Sequence, residues 1–220
     1  MYRILPLLTD AEVAECRKIA ASAPFVDGKI TNPHNKAKQN EQLHDQDAYQ
    51  KSSQVLLQAY ARSQEFHDFA FPIRIAPPMI TRYKPGMKYG AHADSAFIHL
   101  PQGTIRSDVS STVFLNDPAD YDGGELKVRL GDSELSFKLK PGDAIIYPSD
   151  SLHQVIPVTR GERLVAITFI QSRVQDPFRR NMLFELNEVA ALEGLKMDQE
   201  NFNRLQLVRE NLMRHWADMP

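Results

Sequence analysis

Side chains that can bind a metal ion recur in the central part of the chain. His92-Ala93-Asp94 is the only His-x-Asp in the sequence, and residues i and i+2 of a strand point to the same face. His153 follows the strand-like run Asp143-Ala-Ile-Ile-Tyr-Pro and is the candidate for a third ligand. Two imidazoles and one carboxylate on one face of an octahedron leave three positions open, which is the facial triad of non-haem iron(II) oxygenases. Taken singly, such a pair more often makes only a surface hydrogen bond, and a lone buried histidine is more often a core residue.

A cationic residue follows the third candidate ligand by ten residues in the sequence. Arg163 opens the apolar run Arg-Leu-Val-Ala-Ile-Thr-Phe-Ile, which is typical of a buried strand. If its guanidinium points inward it needs an anion, because an unpaired buried charge is strongly destabilising. The distal carboxylate of a dicarboxylic cosubstrate would supply that anion through a bidentate pair. The alternative is a surface arginine that pairs with Glu162 or Asp143.

These residues have to be positioned by a β-rich central region. Between Ile73 and Gln171, eight short strand-like runs are separated by turn signals such as Pro85-Gly86 and Gly131-Asp132. Strands at this spacing predict a double-sheet jelly roll, also called a double-stranded β-helix. The predicted strands lie near residues 73–83, 89–97, 109–116, 124–130, 134–140, 143–147, 153–158 and 163–171.

Helices are predicted on either side of this region, so that the fold class is mainly β with flanking α. After a short strand at 2–8, Thr9 and Glu12 form a capping box that opens a helix to about residue 22. A second helix is predicted over 52–69, and apolar positions at three- to four-residue spacing predict helices after Asp176. The polar segment 28–50 is predicted to be a long loop. We therefore divide the chain into a jelly-roll domain with N-terminal helices (1–175) and a C-terminal helical extension (176–220), which packs on the barrel or on a second subunit of a homodimer.

Composition excludes several other classes of protein. The 220 residues carry a formal net charge of -2, which argues against a nucleic-acid binder that works through bulk electrostatics. No stretch approaches the roughly 18 apolar residues needed to span a bilayer. Cys16 is the only cysteine, so an internal disulfide is impossible, and this favours a reducing compartment and a cytoplasmic location. We expect Cys16 to pack on the apolar face of the first helix.

The ordered motifs resemble a known enzyme family. Tyr83-x-x-Gly86-x-x-Tyr89-x-x-His92-x-Asp94 is similar to the signature of prolyl-4-hydroxylase-type iron(II)/2-oxoglutarate dioxygenases. More narrowly, the chain resembles the bacterial PKHD-type hydroxylases over roughly residues 1 to 190. The motifs that carry this resemblance are Asp120-Tyr-Asp-Gly-Gly-Glu-Leu126, Tyr147-Pro-Ser, Ser151-Leu-His153, Val158-Thr-Arg-Gly161 and Phe169-Ile-Gln-Ser172.

The resemblance implies roles for individual residues. It implies that the metal-binding triad, His92, Asp94 and His153, binds iron and is catalytic. It further implies that Arg163 holds the distal carboxylate of 2-oxoglutarate and that Tyr83 donates a hydrogen bond to this cosubstrate. Some animal relatives have a tyrosine where this chain has Phe114, which cannot form a hydrogen bond, and Thr112 is the candidate to replace it. The segment 28–50 and the turn 96–107, with His99 and Arg106, flank the expected mouth of the site and either contact substrate or are solvated loops.

The resemblance also implies the reaction. It predicts a dioxygenase that uses Fe(II), 2-oxoglutarate and O₂, with ascorbate as a candidate reductant, to hydroxylate a prolyl residue or a small molecule and release succinate and CO₂. The carboxylate of Asp94 favours hydroxylation, because halogenases of this type lack it to make room for a halide. Two alternatives remain open: a cupin-like metal enzyme without 2-oxoglutarate, which has no need for Arg163, and a non-catalytic binding protein, which predicts a broken triad.

Overall fold

The computed structural model describes residues 1–31 and 37–218, and antiparallel β-sheets lie at its centre. In this part of the chain the larger sheet has eight strands. Their order is β1 (Arg3–Pro6), β14 (Asp143–Pro148), β10 (Val109–Phe114), β17 (Arg163–Ser172), β6 (Met79–Tyr83), β4 (Glu41–Leu43) and β2 (Phe25–Asp27), with β5 (Pro72–Ile75) also paired to β17.

A smaller sheet faces the larger one and carries part of the predicted triad. Its order is β13 (Ser133–Phe137), β12 (Leu126–Leu130), β15 (His153–Val155), β7 (Lys88–His92) and β3 (Lys38–Gln39). Two separate strand pairs are β8 (Phe97–Leu100) with β9 (Gly103–Arg106), and β11 (Asp122–Gly123) with β16 (Val158–Arg160). The two facing antiparallel sheets confirm the predicted jelly roll.

Alternating side chains of the central strands fill two hydrophobic cores. Ile146 and Leu164 belong to the core between the larger sheet and the helices, whereas Tyr147 and Val165 belong to the core between the two sheets. Successive residues of a strand point to opposite faces, so Arg163 shares the face of Val165. The sheet therefore turns this arginine into the space between the sheets, where it is 1% exposed.

In the described residues, five α-helices flank the sheets. The single helix predicted over 52–69 is divided into two of them. The helices are α1 (Asp10–Ser22), α2 (Gln46–Arg62), α3 (Gln64–Ala70), α4 (Pro177–Glu193) and α5 (Gln199–Trp216). The predicted single helix begins earlier, because the Asp45 side chain caps it by accepting from the Ala48 N–H. It is interrupted at Ser63, whose hydroxyl caps α3 by accepting from the Phe66 N–H. No helix in the described ranges is both long and apolar enough to cross a membrane.

The prediction of one long loop over 28–50 is wrong for most of that segment. It contains a 3₁₀ turn (Gly28–Thr31), both short strands β3 and β4, and the first turn of α2. Its residues 32–36 lie outside the described part of the chain. The polar residues of this segment form strands because β3 pairs with β7 and β4 pairs with β6, contacts with chain segments far away in sequence.

Two predicted strands are shorter than expected. The strand predicted at 73–83 divides into β5 and β6 around Pro77-Pro78, because proline has no N–H to donate to a ladder. The strand predicted at 89–97 ends at His92, and the chain then forms the β8–β9 hairpin in place of the predicted turn at 96–107. Asp94 therefore lies just beyond β7 rather than within a regular strand.

The C-terminal helices pack on the barrel side that also carries α3. Phe184 of α4 meets Phe69 of α3 edge-on, with ring centroids 5.4 Å apart. Helix α5 has no fully buried side chain and lies against α4, and Asp218 beyond it forms an ion pair with Arg106. The first helix behaves as predicted, since Cys16 is fully buried in the helix-side core.

The capping box of α1 gives a pH-dependent stability prediction. The Glu12 carboxylate accepts from the Thr9 N–H at 2.8 Å and also pairs with Arg62. The bond from Arg62 is the main reason why the pKa of Glu12 is lowered from 4.5 to about 2. An acid whose pKa is lower in the folded state stabilises the fold above its unfolded pKa. We expect Glu12→Gln to reduce the free energy of unfolding at pH 7 by about 1 kcal/mol, a difference that fades as the pH falls from 4.5 towards 2.

Urea denaturation at several pH values measures this difference, with Glu15→Gln as the control. Glu15 is exposed on the same helix and is not part of the capping box. If the loss caused by Glu12→Gln were the same at pH 7 and pH 2, an ionised Glu12 would not be its origin.

Candidate metal centre

The structure brings the predicted triad together at one end of the smaller sheet. His92 and His153 are direct partners across β7 and β15, and Asp94 follows two residues after His92. Oδ1 of Asp94 lies 3.6 Å from Nε2 of His153 and 3.9 Å from Nε2 of His92. One ligand atom from each residue lies within 4.8 Å of the other two, and protein–metal bonds are about 2.0–2.2 Å long. The three atoms can therefore bind one ion.

Backbone contacts at Nδ1 of both histidines leave the two Nε2 atoms available to bind a metal ion. Nδ1 of His92 lies 2.8 Å from the Gly90 carbonyl oxygen, and Nδ1 of His153 lies 3.0 Å from the Ser151 carbonyl oxygen. A carbonyl can only accept, so each Nδ1 carries a proton, and in the neutral imidazole each Nε2 keeps the lone pair that can bind a metal. Burial, followed by the charge of His153, lowers the pKa of His92 to about 4. His92 is therefore neutral at physiological pH, as a metal ligand must be.

A chain of serine hydroxyls orients the carboxylate. Ser110 Oγ donates to Oδ2 of Asp94 at 2.6 Å and lies 2.7 Å from Ser149 Oγ, which in turn accepts from Ser107 Oγ at 2.9 Å. Oδ2 is thereby engaged and Oδ1 remains for the ion. Two neutral imidazoles and one oriented carboxylate are a donor set that fits iron(II) and leaves coordination positions open.

Arg163 faces the same cavity without a protein anion. No ion pair to its guanidinium occurs in residues 1–31 and 37–218, and its buried Nε has no hydrogen-bond partner there. Its Cζ lies 5.0 Å from the Tyr83 ring centroid and 5.5 Å from that of Phe114. Burial lowers the pKa of Arg163, yet a guanidinium stays charged at neutral pH. The alternative of a surface arginine paired with Glu162 or Asp143 is wrong, because Arg163 is buried and Asp143 approaches Lys140 instead.

The other two predicted cosubstrate residues also line this cavity. Tyr83 is the cross-strand partner of Arg163, and its buried hydroxyl accepts from Asn40 Nδ2 at 3.1 Å. Thr112 is buried and lines the cavity close to the hydroxyl of Tyr147. A Tyr83 hydroxyl that accepts from Asn40 keeps its own proton for a further acceptor in the cavity.

The cavity has a volume of about 550 Å³ and contains residues that the sequence alone did not reveal. Lys38 and Asn40 come from the segment that was predicted to be a loop, and Tyr147 comes from β14. Tyr89 also lines the cavity, with its ring stacked on His92 at 3.5 Å. Of the two residues proposed at the mouth, His99 lines the cavity, whereas Arg106 pairs with Asp108 and Asp218. The signal missed was the i, i+2 spacing of Lys38 and Asn40, which places both on one face.

Comparisons with known proteins agree with this geometry. A family model described as the 2OG-Fe(II) oxygenase superfamily matches residues 78–171. A PKHD-type hydroxylase of Sphingopyxis alaskensis is 58% identical over 216 residues, which cover 98% of this chain and 99% of the relative. A solved prolyl-4-hydroxylase of Pseudomonas putida, 21% identical, aligns with a TM-score of 0.55 over 78% of this chain and 92% of its own. A Trichoplax adhaerens prolyl hydroxylase, solved with a hypoxia-inducible-factor peptide and 14% identical, aligns with a TM-score of 0.57 over 78% and 83%; both structures support the fold alone.

The similarity to the 2OG-Fe(II) oxygenase family places the chain among the iron(II)- and 2-oxoglutarate-dependent oxygenases. The jelly roll fits this class, as do two histidines and a carboxylate that could hold one ion and an arginine across the cavity that forms no ion pair among the described residues. Within that class the chain belongs to the PKHD-type hydroxylases, as the identity over nearly the whole of both chains shows. It is therefore an oxidoreductase that uses Fe(II), 2-oxoglutarate and O₂ to hydroxylate a substrate. The predicted family, reaction class and cosubstrates are confirmed, and the cupin-like and non-catalytic alternatives are wrong.

Proposed function

We propose that His92, Asp94 and His153 hold the iron and that Arg163 binds the distal carboxylate of 2-oxoglutarate. The buried guanidinium carries this proposal, because it lies in the cavity of the triad and lacks an anion among the described residues. A dicarboxylate that reaches from the ion to Arg163 would satisfy both ends of the cavity.

Tyr83 and Thr112 act as the further cosubstrate contacts in this proposal. The Tyr83 hydroxyl, held by Asn40, donates to the same carboxylate as Arg163. Thr112, close to Tyr147, offers a second hydroxyl from the neighbouring strand. When bound, the iron and 2-oxoglutarate supply the activation of O₂, with conversion of 2-oxoglutarate to succinate and CO₂. The chain contributes ligand orientation, cosubstrate positioning and a largely buried site.

The substrate that we propose is a prolyl residue of a peptide or a small molecule, entering beside the β8–β9 hairpin. Phe97 on this hairpin lines the cavity and is 58% exposed, which suits an apolar contact at the entrance. We further propose that residues 1–175 form the catalytic domain and 176–220 a helical extension, and that ascorbate serves as the reductant. A cytoplasmic location, which the single cysteine favours, stays a prediction.

Succinate formation tests the proposed function. Purified protein is mixed with iron(II), 2-oxoglutarate and O₂, with and without prolyl peptides, and succinate is measured over time. We expect slow succinate formation without substrate, an increase with a substrate, and loss of both when a chelator removes the iron or when zinc replaces it. Succinate formation that persists with zinc in the site, or that is absent under every condition, would contradict the proposal.

A further inference from the structure

A buried lysine stands in the same cavity and has no role in the proposed chemistry. Lys38 lies on β3 and is 5% exposed, although lysine is almost never this buried unless it is paired. Within the described ranges, its Nζ makes one hydrogen bond, to Thr31 Oγ1 at 2.8 Å, and forms no ion pair with a carboxylate. Gln42 Nε2 donates to the same Thr31 oxygen at 3.0 Å, so the lysine is held by a polar cluster.

The sheet aims this lysine at the reacting region. Lys38 is the cross-strand partner of Tyr89, so their side chains lie on the same face. Nζ lies 5.7 Å from the centroid of the Tyr89 ring, and that ring is stacked on the imidazole of His92. The ammonium group and a metal ligand thus lie close to the same aromatic ring. Arg163 belongs to the opposite, larger sheet, so the two cations of the cavity are on different walls.

The charges of the loaded cavity leave Lys38 without a counterion. Its charged lining residues in the described part of the chain are Lys38, Arg163 and Asp94, with histidines besides. The charges of an iron(II) ion and Arg163 cancel those of Asp94 and the 2-oxoglutarate dianion, so one positive charge remains, on Lys38. Burial lowers the pKa of Lys38 to about 8, which the more distant Asp27 and Asp94 partly offset, so the amine is mostly protonated at pH 7.

We propose that Lys38 binds a carboxylate of the substrate, and hence that this hydroxylase acts on anionic molecules such as those with a free α-carboxylate. The inference rests on the proposed function, since it takes Arg163 to be occupied by 2-oxoglutarate. A substrate carboxylate at Nζ would lie beside Tyr89 and supply the anion that a buried ammonium requires. The rest of the substrate would extend from there towards the triad.

Binding of matched acids and amides tests this inference without turnover. The protein is loaded with Mn²⁺ and saturated with N-oxalylglycine, an inert analogue that fills the 2-oxoglutarate site and Arg163. Dissociation constants are then measured by calorimetry for the acid and amide forms of N-acetyl-proline, N-acetyl-alanine and N-acetyl-phenylalanine. We expect at least one acid to bind about tenfold or more tightly than its amide. In Lys38→Met, the ratio of the amide's dissociation constant to that of the acid should fall to about two or less. Lys38→Arg should keep most of the preference for the acid.

Lys88→Met is the matched control. Lys88 is exposed on the adjacent strand β7, so this substitution should leave the preference for the acid over the amide unchanged. The inference is overturned if no acid binds better than its amide in the wild-type protein, or if the preference survives in Lys38→Met. It is also overturned if Lys38→Met weakens the binding of N-oxalylglycine as much as the binding of the acids, because the ammonium group would then contact the cosubstrate. Failure of the proposed function would appear separately, as absent succinate formation in the iron-loaded protein.

Discussion

Replacing Arg163 with methionine is expected to reduce kcat/KM for 2-oxoglutarate by about 30-fold or more and to leave the metal-free fold intact. The guanidinium lies at the far side of the cavity from the triad and has no protein anion in the described residues. Loss of one partner of a buried charge pair costs about 2–5 kcal/mol, and about 1.4 kcal/mol corresponds to a factor of ten. Replacing a buried, uncompensated charge with a similar apolar side chain is often neutral or stabilising for folding. Succinate formation against 2-oxoglutarate concentration measures the first effect and urea denaturation the second.

Arg129→Met is the matched control for this prediction. Arg129 is exposed on β12, its Nε donates to the Gly131 carbonyl oxygen, and it does not line the cavity. Arg129→Met should therefore leave the 2-oxoglutarate dependence unchanged. An Arg163→Met protein that is folded and keeps the wild-type KM for 2-oxoglutarate would show that the cosubstrate carboxylate binds elsewhere.

Strand alternation explains why much of the site could be predicted from the sequence. Once a strand is assumed, the i, i+2 spacing places His92 and Asp94 on the same face. The apolar run after Arg163 likewise indicates a buried strand and an inward direction for the guanidinium. Asp94 shows the limit of that reasoning, because it lies beyond the end of β7 and is oriented by Ser110 rather than by the sheet. The pairing of His153 with His92 could not be read from spacing, which offered His153 only as a candidate for the third ligand.

The residues that were missed lie in segments whose structure depends on distant partners. Lys38 and Asn40 come from a polar stretch without an apolar period, and its short strands form only because β6 and β7 offer free edges. Tyr147 was visible as part of a buried strand, but its contact with Thr112 needed the register between β10 and β14. The local sequence pattern thus predicts which face of a strand a side chain occupies. Which residue lies opposite that side chain in the cavity depends on the register between paired strands.

The same reasoning applies to the helices. The apolar spacing from Val55 to Phe66 predicted a single helix, because both parts bury the same face. The break at Ser63 depends on one hydroxyl that accepts from the Phe66 N–H, and serine is also tolerated inside helices. Capping residues decide where an amphipathic segment divides, and a sequence shows them as candidates only.

Replacing Asp94 with alanine is expected to abolish metal-induced stabilisation and to reduce succinate formation by roughly 1,000-fold. Asp94 supplies the single carboxylate of the triad, and even residues that only support a ligand contribute about 10- to 100-fold to metal affinity. A metal at 100 times its Kd stabilises a folded protein by about 2.7 kcal/mol, which raises Tm by about 5–10 °C in a protein of this size. The wild-type protein should show this rise on addition of Mn²⁺, and Asp94→Ala should not.

Asp132→Ala provides the control, because Asp132 is an exposed aspartate in the turn between β12 and β13. It should retain both the rise in Tm with Mn²⁺ and the rate of succinate formation. Without metal, Asp94→Ala should melt close to the wild type, since it removes a largely buried carboxylate that forms no ion pair with a lysine or arginine of the described residues. If Asp94→Ala kept the Mn²⁺-dependent rise in Tm, the ion would be bound without this carboxylate, and the triad would have to be placed elsewhere in the cavity.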